Sequence, residues 1–232
     1  MAQTQAKRRL SKHQLKQDGF TTAIFGAREW VEQHLRMVLL VAGGVVVVIA
    51  ATWGIVSYFQ GREAAAATLF GEAGVEIRSN NLSAAVIGLK KVVDEYGGSD
   101  VADLACFQLA DVQYRQRSYD EARATYQRYL DDYAGDELLV ASAWGGLAAI
   151  DEHANDLAAA AEKNLKAASL NLKSFQAPEY LRHAIRCAIG LKDTALALRA
   201  FALLEQTGTD PRNVKSSRQT LVEHGLLAPE IP

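Results

Sequence analysis

The chain has 232 residues, 25 Lys+Arg, 27 Asp+Glu and a formal charge of −2. Its 49% apolar and 22% charged residues exclude a disordered chain, and two cysteines with no CxxC or Cys/His cluster exclude a disulfide framework, a zinc site and a thioredoxin-like pair. The near-zero charge is a cancellation: residues 1–36 carry 7 basic and 3 acidic groups (+4), residues 37–59 carry none, and residues 60–232 carry 18 and 24 (−6), an acidic balance that argues against nucleic acid as a partner.

The first segment, residues 1–36, is a basic arm. Ser11-Lys-His-Gln14 has the spacing of a capping box, in which hydroxyl and amide each satisfy a free backbone N–H at a helix start. Gly19 interrupts that helix. Beyond it Phe20, Ile24, Ala27, Val31 and Leu35 fall on one helical stripe. Two readings stay open: an interfacial amphipathic helix with Trp30 at the headgroups, or a helix that docks on a partner or on the chain itself.

Residues 37–59 are uncharged, with Arg36 before them and Arg62 after. A helix of 23 residues is about 35 Å long against a hydrocarbon core of about 30 Å, enough to span. The run is too long, and the arm before it too long, for a cleaved signal peptide, so a retained transmembrane signal anchor is expected. Trp30, Arg36, Tyr58 and Arg62 are the expected membrane-interface residues. Arg28 and Arg36 before the span balance Arg62 and Arg78 after it. Lys7, Arg8, Arg9, Lys12 and Lys16 break the tie and predict a cytoplasmic N-terminus with the large domain outside the cytoplasm.

Residues 60–211 lack Pro until Pro178, have no sustained β-branched run and abound in Ala, which favours helices. They also repeat. Ala85, Ala122, Ala160 and Ala197 stand at intervals of 37, 38 and 37 residues. Three residues before them are Leu82, Tyr119, Leu157 and Thr194; four after, Leu89, Tyr126, Asn164 and Phe201; seven after, Val92, Tyr129, Ala167 and Leu204. The intervals recur upstream at Leu69, Cys106, Trp144 and Leu181, and at Ala73, Ala110, Ala148 and Ile185, so each unit holds two helices, A and B. Turns are predicted inside units at Asn80-Asn81, Arg117-Ser118, Asn155-Asp156 and Lys192-Asp193, and between units at Gly97-Gly98, Gly135, Ala177-Pro178 and Gly208 to Pro211. Ser118-Tyr-Asp-Glu121 is a second capping box, and Asn81 is expected to cap helix B of unit one. Residues 212–232, with Leu221, Val222, Leu226 and Leu227, suggest a capping helix and tail. The predicted fold is all-α: an arm, one transmembrane helix, and an α-solenoid of about four helix pairs.

The pattern resembles the tetratricopeptide repeat, W-x2-L-G-x2-Y, then A-x3-F, then P. Leu109, Ala110, Tyr119, Ala122 and Tyr126 carry the resemblance in unit two; Trp144, Leu147, Ala148 and Ala160 carry it in unit three. The longer period, the missing closing Pro of units one to three, and Asn164 and Thr194 depart from it. With the arm Arg9-Leu-Ser-Lys-His-Gln-Leu-Lys16 and the single span, the chain resembles the ancillary Sec-translocon subunit family of bacteria. That resemblance implies a bacterial inner-membrane protein, single-pass, with a periplasmic repeat domain. It implies partners among the translocon, envelope chaperones or exported chains. The runner-up is a structural accessory subunit of another inner-membrane complex or an envelope-assembly scaffold, with Gly43-Gly44 packing on a partner helix.

No convergent set of reactive groups points to an enzyme, and no cofactor or metal is implied: His13, His34, His153, His183 and His224 show no ligand spacing. Asp151-Glu152-His153 is read as the solvent-facing end of a helix, and Cys106 and Cys187, two units apart, as free buried thiols. Solenoids of this type bind on the concave face lined by A helices. The candidate partner-binding residues are Phe107, Asp111, Tyr114 and Arg115 in unit two, His153 with Ser142 and Ala149 in unit three, and Arg182 and Arg186 in unit four. The Lys and Asn of the tetratricopeptide carboxylate clamp are missing. A groove for extended segments or a fixed protein partner is expected instead. The oligomeric state is not specified.

Overall fold

A computed structural model describes residues 30–228, and all regular structure among them is helical. Residues 30–33 are helical; then come α1 (Leu35–Arg78), α2 (Leu82–Glu95), α3 (Ala102–Arg115), α4 (Tyr119–Asp132), α5 (Glu137–His153), α6 (Leu157–Leu170), α7 (Ala177–Leu191), α8 (Thr194–Gln206) and α9 (Pro211–Glu223). Two compact units result, residues 1–60 and residues 61–232. The first expected arm helix and the beginning of the second fall on residues 1–29, outside the described residues, while Val31 and Leu35 at the end of the second stripe are helical.

In the first unit, the apolar stretch of α1 has length and composition enough to cross a membrane, and none of its 18-residue apolar window is buried. That separates it from the core helix of a soluble domain, which is apolar because it is covered. Thr52 donates its hydroxyl to the Val48 carbonyl at 2.8 Å, so this polar group is satisfied within the helix. A Cβ at Gly43 or Gly44 would meet nothing within 4 Å.

The second unit is a run of helix pairs. The last turns of α1, with α3, α5 and α7, are the A helices; α2, α4, α6 and α8 are the B helices. Each B helix begins three residues before its repeated alanine, at Leu82, Tyr119, Leu157 and Thr194, and Ala85, Ala122, Ala160 and Ala197 are all 0% exposed. The residues four and seven further on are buried in every unit, Asn164 included. A methyl group at the repeated position lets neighbouring backbones approach closely, and the larger residues on the same stripe fill the space beside it. Leu221 of α9 is fully buried, with Leu226 and Leu227 packed on the same cluster as Leu181, Phe201 and Leu204.

Every A helix ends in the same way. Asn80, Arg117, Asn155 and Lys192 have φ of 58 to 63°. Each donates its N–H to the carbonyl three residues back, and the next residue donates to the carbonyl five residues back, as in Asn81 to Glu76 and Asp193 to Ala188. This is the Schellman closure, and it fixes the A-to-B turn at constant length, which keeps the units in register. Only two of the four αL residues are Asn; Arg117 and Lys192 hold the conformation against the Cβ clash.

Three local expectations are corrected. Ser118 and Asn81 do precede helices, but neither side chain caps one. Asn81 instead donates from its amide to Glu76 at 2.7 Å, whereas the carboxylates of Asp136, Asp156, Asp193 and Asp210 accept backbone N–H groups at their helix starts. An anionic acceptor makes the stronger bond and also faces the positive end of the helix dipole. Ala177-Pro178 is the first turn of α7 and not a break: Pro lacks the N–H that a first turn leaves unpaired, and the connection lies at residues 171–176.

Candidate partner-binding groove

Helices α3, α5, α6 and α7 enclose a groove of ≈ 410 Å³. Tyr114, Gly145, Ala149, Glu152, His153 and Asn164 line it, with Glu179, Tyr180, His183 and Arg186 from α7. One wall is aromatic. Tyr119 stacks on His153 with ring centres 4.7 Å apart, and Tyr114 is tilted against both at 5.6 and 5.7 Å. Burial raises the pKa of the Tyr114 phenol, and the neighbouring Tyr119, Glu152 and Asp111 add to the rise. Burial also raises Tyr180, against a hydrogen bond with Ser142 that lowers it. Both phenols therefore stay protonated at neutral pH and present O–H donors.

The opposite wall is charged and self-neutralising. His183 lies 3.2 Å from Glu179 and 3.5 Å from Glu152; the Arg186 guanidinium reaches Glu152 and stands 2.7 Å from His183 Nδ1. These pairs join α5 to α7 across the repeat boundary, and solvent screening makes them worth little to stability. α7 also forms one side of a second cleft, of ≈ 320 Å³, whose far side is Ser216, Ser217 and Thr220 of α9 with His224 just past its end. Glu179, His183 and Arg186 line both.

Among the residues expected in the groove, Tyr114, His153, Arg186 and Ala149 line it, and Arg182 lines the cleft against α9, paired with Glu179 at 2.9 Å. Phe107 turns into the core, edge-on to Tyr126 and Tyr129 at 6.0 and 5.8 Å. Asp111 and Arg115 are exposed on α3 and line neither hollow; shielding from water raises the Asp111 carboxyl pKa, and Arg115 opposes the rise. Of the residues expected at a membrane interface, Trp30 stacks on His34, Arg36 is exposed, and Tyr58 lies edge-on to Phe59. Arg62 covers the Tyr96 ring and donates to the Glu95 carbonyl.

Gly145, Glu152, Asn164, Glu179, Tyr180 and His183 line the groove without having been expected there. Asn164 left a visible trace in the sequence, a polar residue where the other units place Leu89, Tyr126 and Phe201. The reading of Asp151-Glu152-His153 as a solvated helix end is overturned for Asp151. That carboxylate is 3% exposed, held by Arg123 of α4 at 2.7 Å and by Lys163 of α6. Three successive helical residues point in three directions, and Asp151 is the one aimed between the B helices.

Cys106 and Cys187 are free and buried, and burial pushes their thiols up to about 11 and about 12. Among the described residues no group of three or more His, Cys, Asp or Glu is arranged to hold a metal.

A family model described as a tetratricopeptide repeat-like domain matches residues 28–179. Among solved structures, the chain is similar to a tetratricopeptide repeat protein from Parabacteroides merdae ATCC 43184, at 14% identity and a TM-score of 0.58 over 69% of this chain and 60% of that one. It is similar to YrrB, a TPR protein with an unusual peptide-binding site, at 15% identity and a TM-score of 0.50 over 69% and 78% of the two chains. It is also similar to the MamA protein, at 12% identity and a TM-score of 0.53 over 69% and 87%. Identities this low speak to the fold alone. No curated protein matches the sequence.

Proposed function

The chain belongs to the tetratricopeptide repeat-like family, and from that premise we propose that it is a membrane-anchored, non-catalytic adaptor that holds a protein partner in the groove of its A helices, close to the protein-export machinery. The fold itself makes it a protein–protein interaction module. The observation that carries the reading is the groove, where an aromatic wall faces a charged one across Ala149 and Gly145. The uncovered apolar stretch of α1 supports a single membrane span, and the basic residues before it support a cytoplasmic N-terminus and a periplasmic repeat domain in a bacterial inner membrane. The domain division follows: arm 1–36, anchor 37–59, solenoid 60–211, capping helix and tail 212–232. The resemblance to ancillary Sec-translocon subunits supplies the partner class: the translocon, an envelope chaperone or an exported chain.

Photocrosslinkers placed at Tyr114 or Arg182 of the full chain in cells test this. Capture of translocon, chaperone or exported protein is expected. Capture of unrelated proteins only would leave an interaction module but remove the export assignment. A reporter fused after Pro232 that works only in the cytoplasm would reverse the topology. The alternative, a structural subunit of another membrane complex, is favoured by the open faces of Gly43 and Gly44. It requires that Gly43→Leu with Gly44→Leu dissolve the complex, a change that a plain anchor tolerates.

A further inference from the structure

The junction between units three and four differs from the one before it in a way that the repeat makes measurable. At the junction of units two and three, the buried Tyr126 ring covers Gly146: a Cβ there would stand 2.4 Å from its Cζ. Phe107 lies against the same ring. One interval of 38 residues on, Phe107 and Tyr126 become Gly145 and Asn164; one interval of 37 on, Ala143 and Gly146 become Tyr180 and His183. The rings of Phe107 and Tyr126 have no counterpart at this junction, and Tyr180 and His183 enter it from α7 instead. Tyr180 covers Gly145, with its Cε1 2.6 Å from where a Cβ would be, and the remaining space is the groove.

Asn164 is 3% exposed and lines that space. Its Nδ2 donates to the Ala160 carbonyl at 3.1 Å, and its Oδ1 accepts from no described residue. That oxygen is not sealed inside the protein, so a ligand that offers a donor in the groove can pair it. The walls are Tyr114, His153, Tyr180 and His183, which suit a flat aromatic group.

We propose that this hole takes one aromatic side chain with a polar tip, tyrosine or tryptophan, from an extended partner segment, its O–H or N–H donating to Asn164 Oδ1. The inserted ring stands in for the one that Tyr126 supplies one unit earlier, so Asn164 is the residue that sets specificity. The inference rests on the groove being the partner-binding face.

The test uses the full chain in lipid nanodiscs, empty nanodiscs as the blank, and the N-acetyl amides of tyrosine, tryptophan, phenylalanine and leucine as probes, followed by saturation-transfer NMR. Wild type should bind the tyrosine and tryptophan amides about fivefold more tightly than phenylalanine amide, the worth of one hydrogen bond. Asn164→Tyr, which restores the ring of unit two, should keep its thermal midpoint and lose the probes. Asn164→Ala should keep the hole and bind the phenylalanine and tyrosine amides equally, a readout that stands even if Asn164→Tyr misfolds. Equal wild-type binding of phenylalanine and tyrosine amides, no saturable binding of any probe, or unchanged binding in Asn164→Tyr overturns the proposal. Crosslinking from Tyr114 reports separately on the groove: partners captured from wild type while the probes fail leaves the groove reading standing without the hole.

Discussion

Gly146→Ala is a substitution for which two effects of opposite sign can be sized. In the interior of α5, Ala is the better helix former by about 0.8–1 kcal/mol. Against that, the new methyl carbon would lie 2.4 and 2.6 Å from Cζ and Cε2 of the Tyr126 ring and 2.8 Å from its hydroxyl oxygen, where ordinary contact begins at 3.4 Å, so the ring must retreat by about 1 Å. Tyr126 is 3% exposed and backed by Phe107, which leaves it nowhere to go. Overpacking of this kind costs about 1–3 kcal/mol, and for a ring boxed in on both sides the upper half of that range applies, a net loss of about 1–2 kcal/mol. For a chain of this size the thermal midpoint then falls by about 2–8 °C. The same change at Gly145 meets Tyr180, which is only half-buried and can swing outward, so its net effect should be near zero. Thermal unfolding of the full chain in mild detergent, followed by circular dichroism, measures both. The decisive measurement is the pair: Tyr126→Leu places at unit two the residue that unit one has at Leu89, and combined with Gly146→Ala it should recover the helix-propensity gain. A neutral or stabilising Gly146→Ala, or a double variant whose losses simply add, would refute the argument.

Arg117→Gly and Lys192→Gly should each stabilise the chain by about 0.5 kcal/mol, because the αL penalty of about 1–2 kcal/mol exceeds the backbone entropy cost of Gly; chemical denaturation midpoints give the sign. The Tyr129 hydroxyl is buried with no hydrogen-bond partner among the described residues, so Tyr129→Phe should raise the unfolding free energy by about 1 kcal/mol; a loss would reveal a bridging water. The thiols predict the alkaline limb of stability. Their folded pKa values, about 11 and about 12, exceed the ordinary 9.0, so between these pH values the folded state holds protons that the unfolded state has released. Their contribution is complete below pH 9 and lost as pH rises toward 11 and 12. A water-soluble thiol reagent should accordingly modify neither cysteine in the native chain at pH 8.5, and both after denaturation.

Much of the fold could be read residue by residue. The alanines at 85, 122, 160 and 197 mark the closest helix approach of each unit, and small residues at a fixed interval have few explanations besides stacked helix pairs. The intra-unit turns were legible for a similar reason, since a polar residue in the αL conformation must close each A helix at the same place. The caps were less so: Ser118 and Asn81 have the right residue type at the right place, yet their side chains make other bonds or none. The groove was legible only in part. Phe107 sits on the A-helix face expected to line it, but whether that face looks inward or outward depends on Tyr126 and Tyr129, on a different helix.

The sequence by itself determined the composition of the apolar stretch, the number of helix pairs and the period at which they stack, because each of these follows from local periodicity and chain length. Only the tertiary structure decided that Asp151 is a buried anion between Arg123 and Lys163, and that Asn164 and Gly145 open a hollow where the preceding unit is filled. Helix periodicity specifies which residues share a stripe. It does not specify what stands opposite the stripe, and at each repeat junction that opposing surface is supplied by a helix about a dozen to almost forty residues away in the chain.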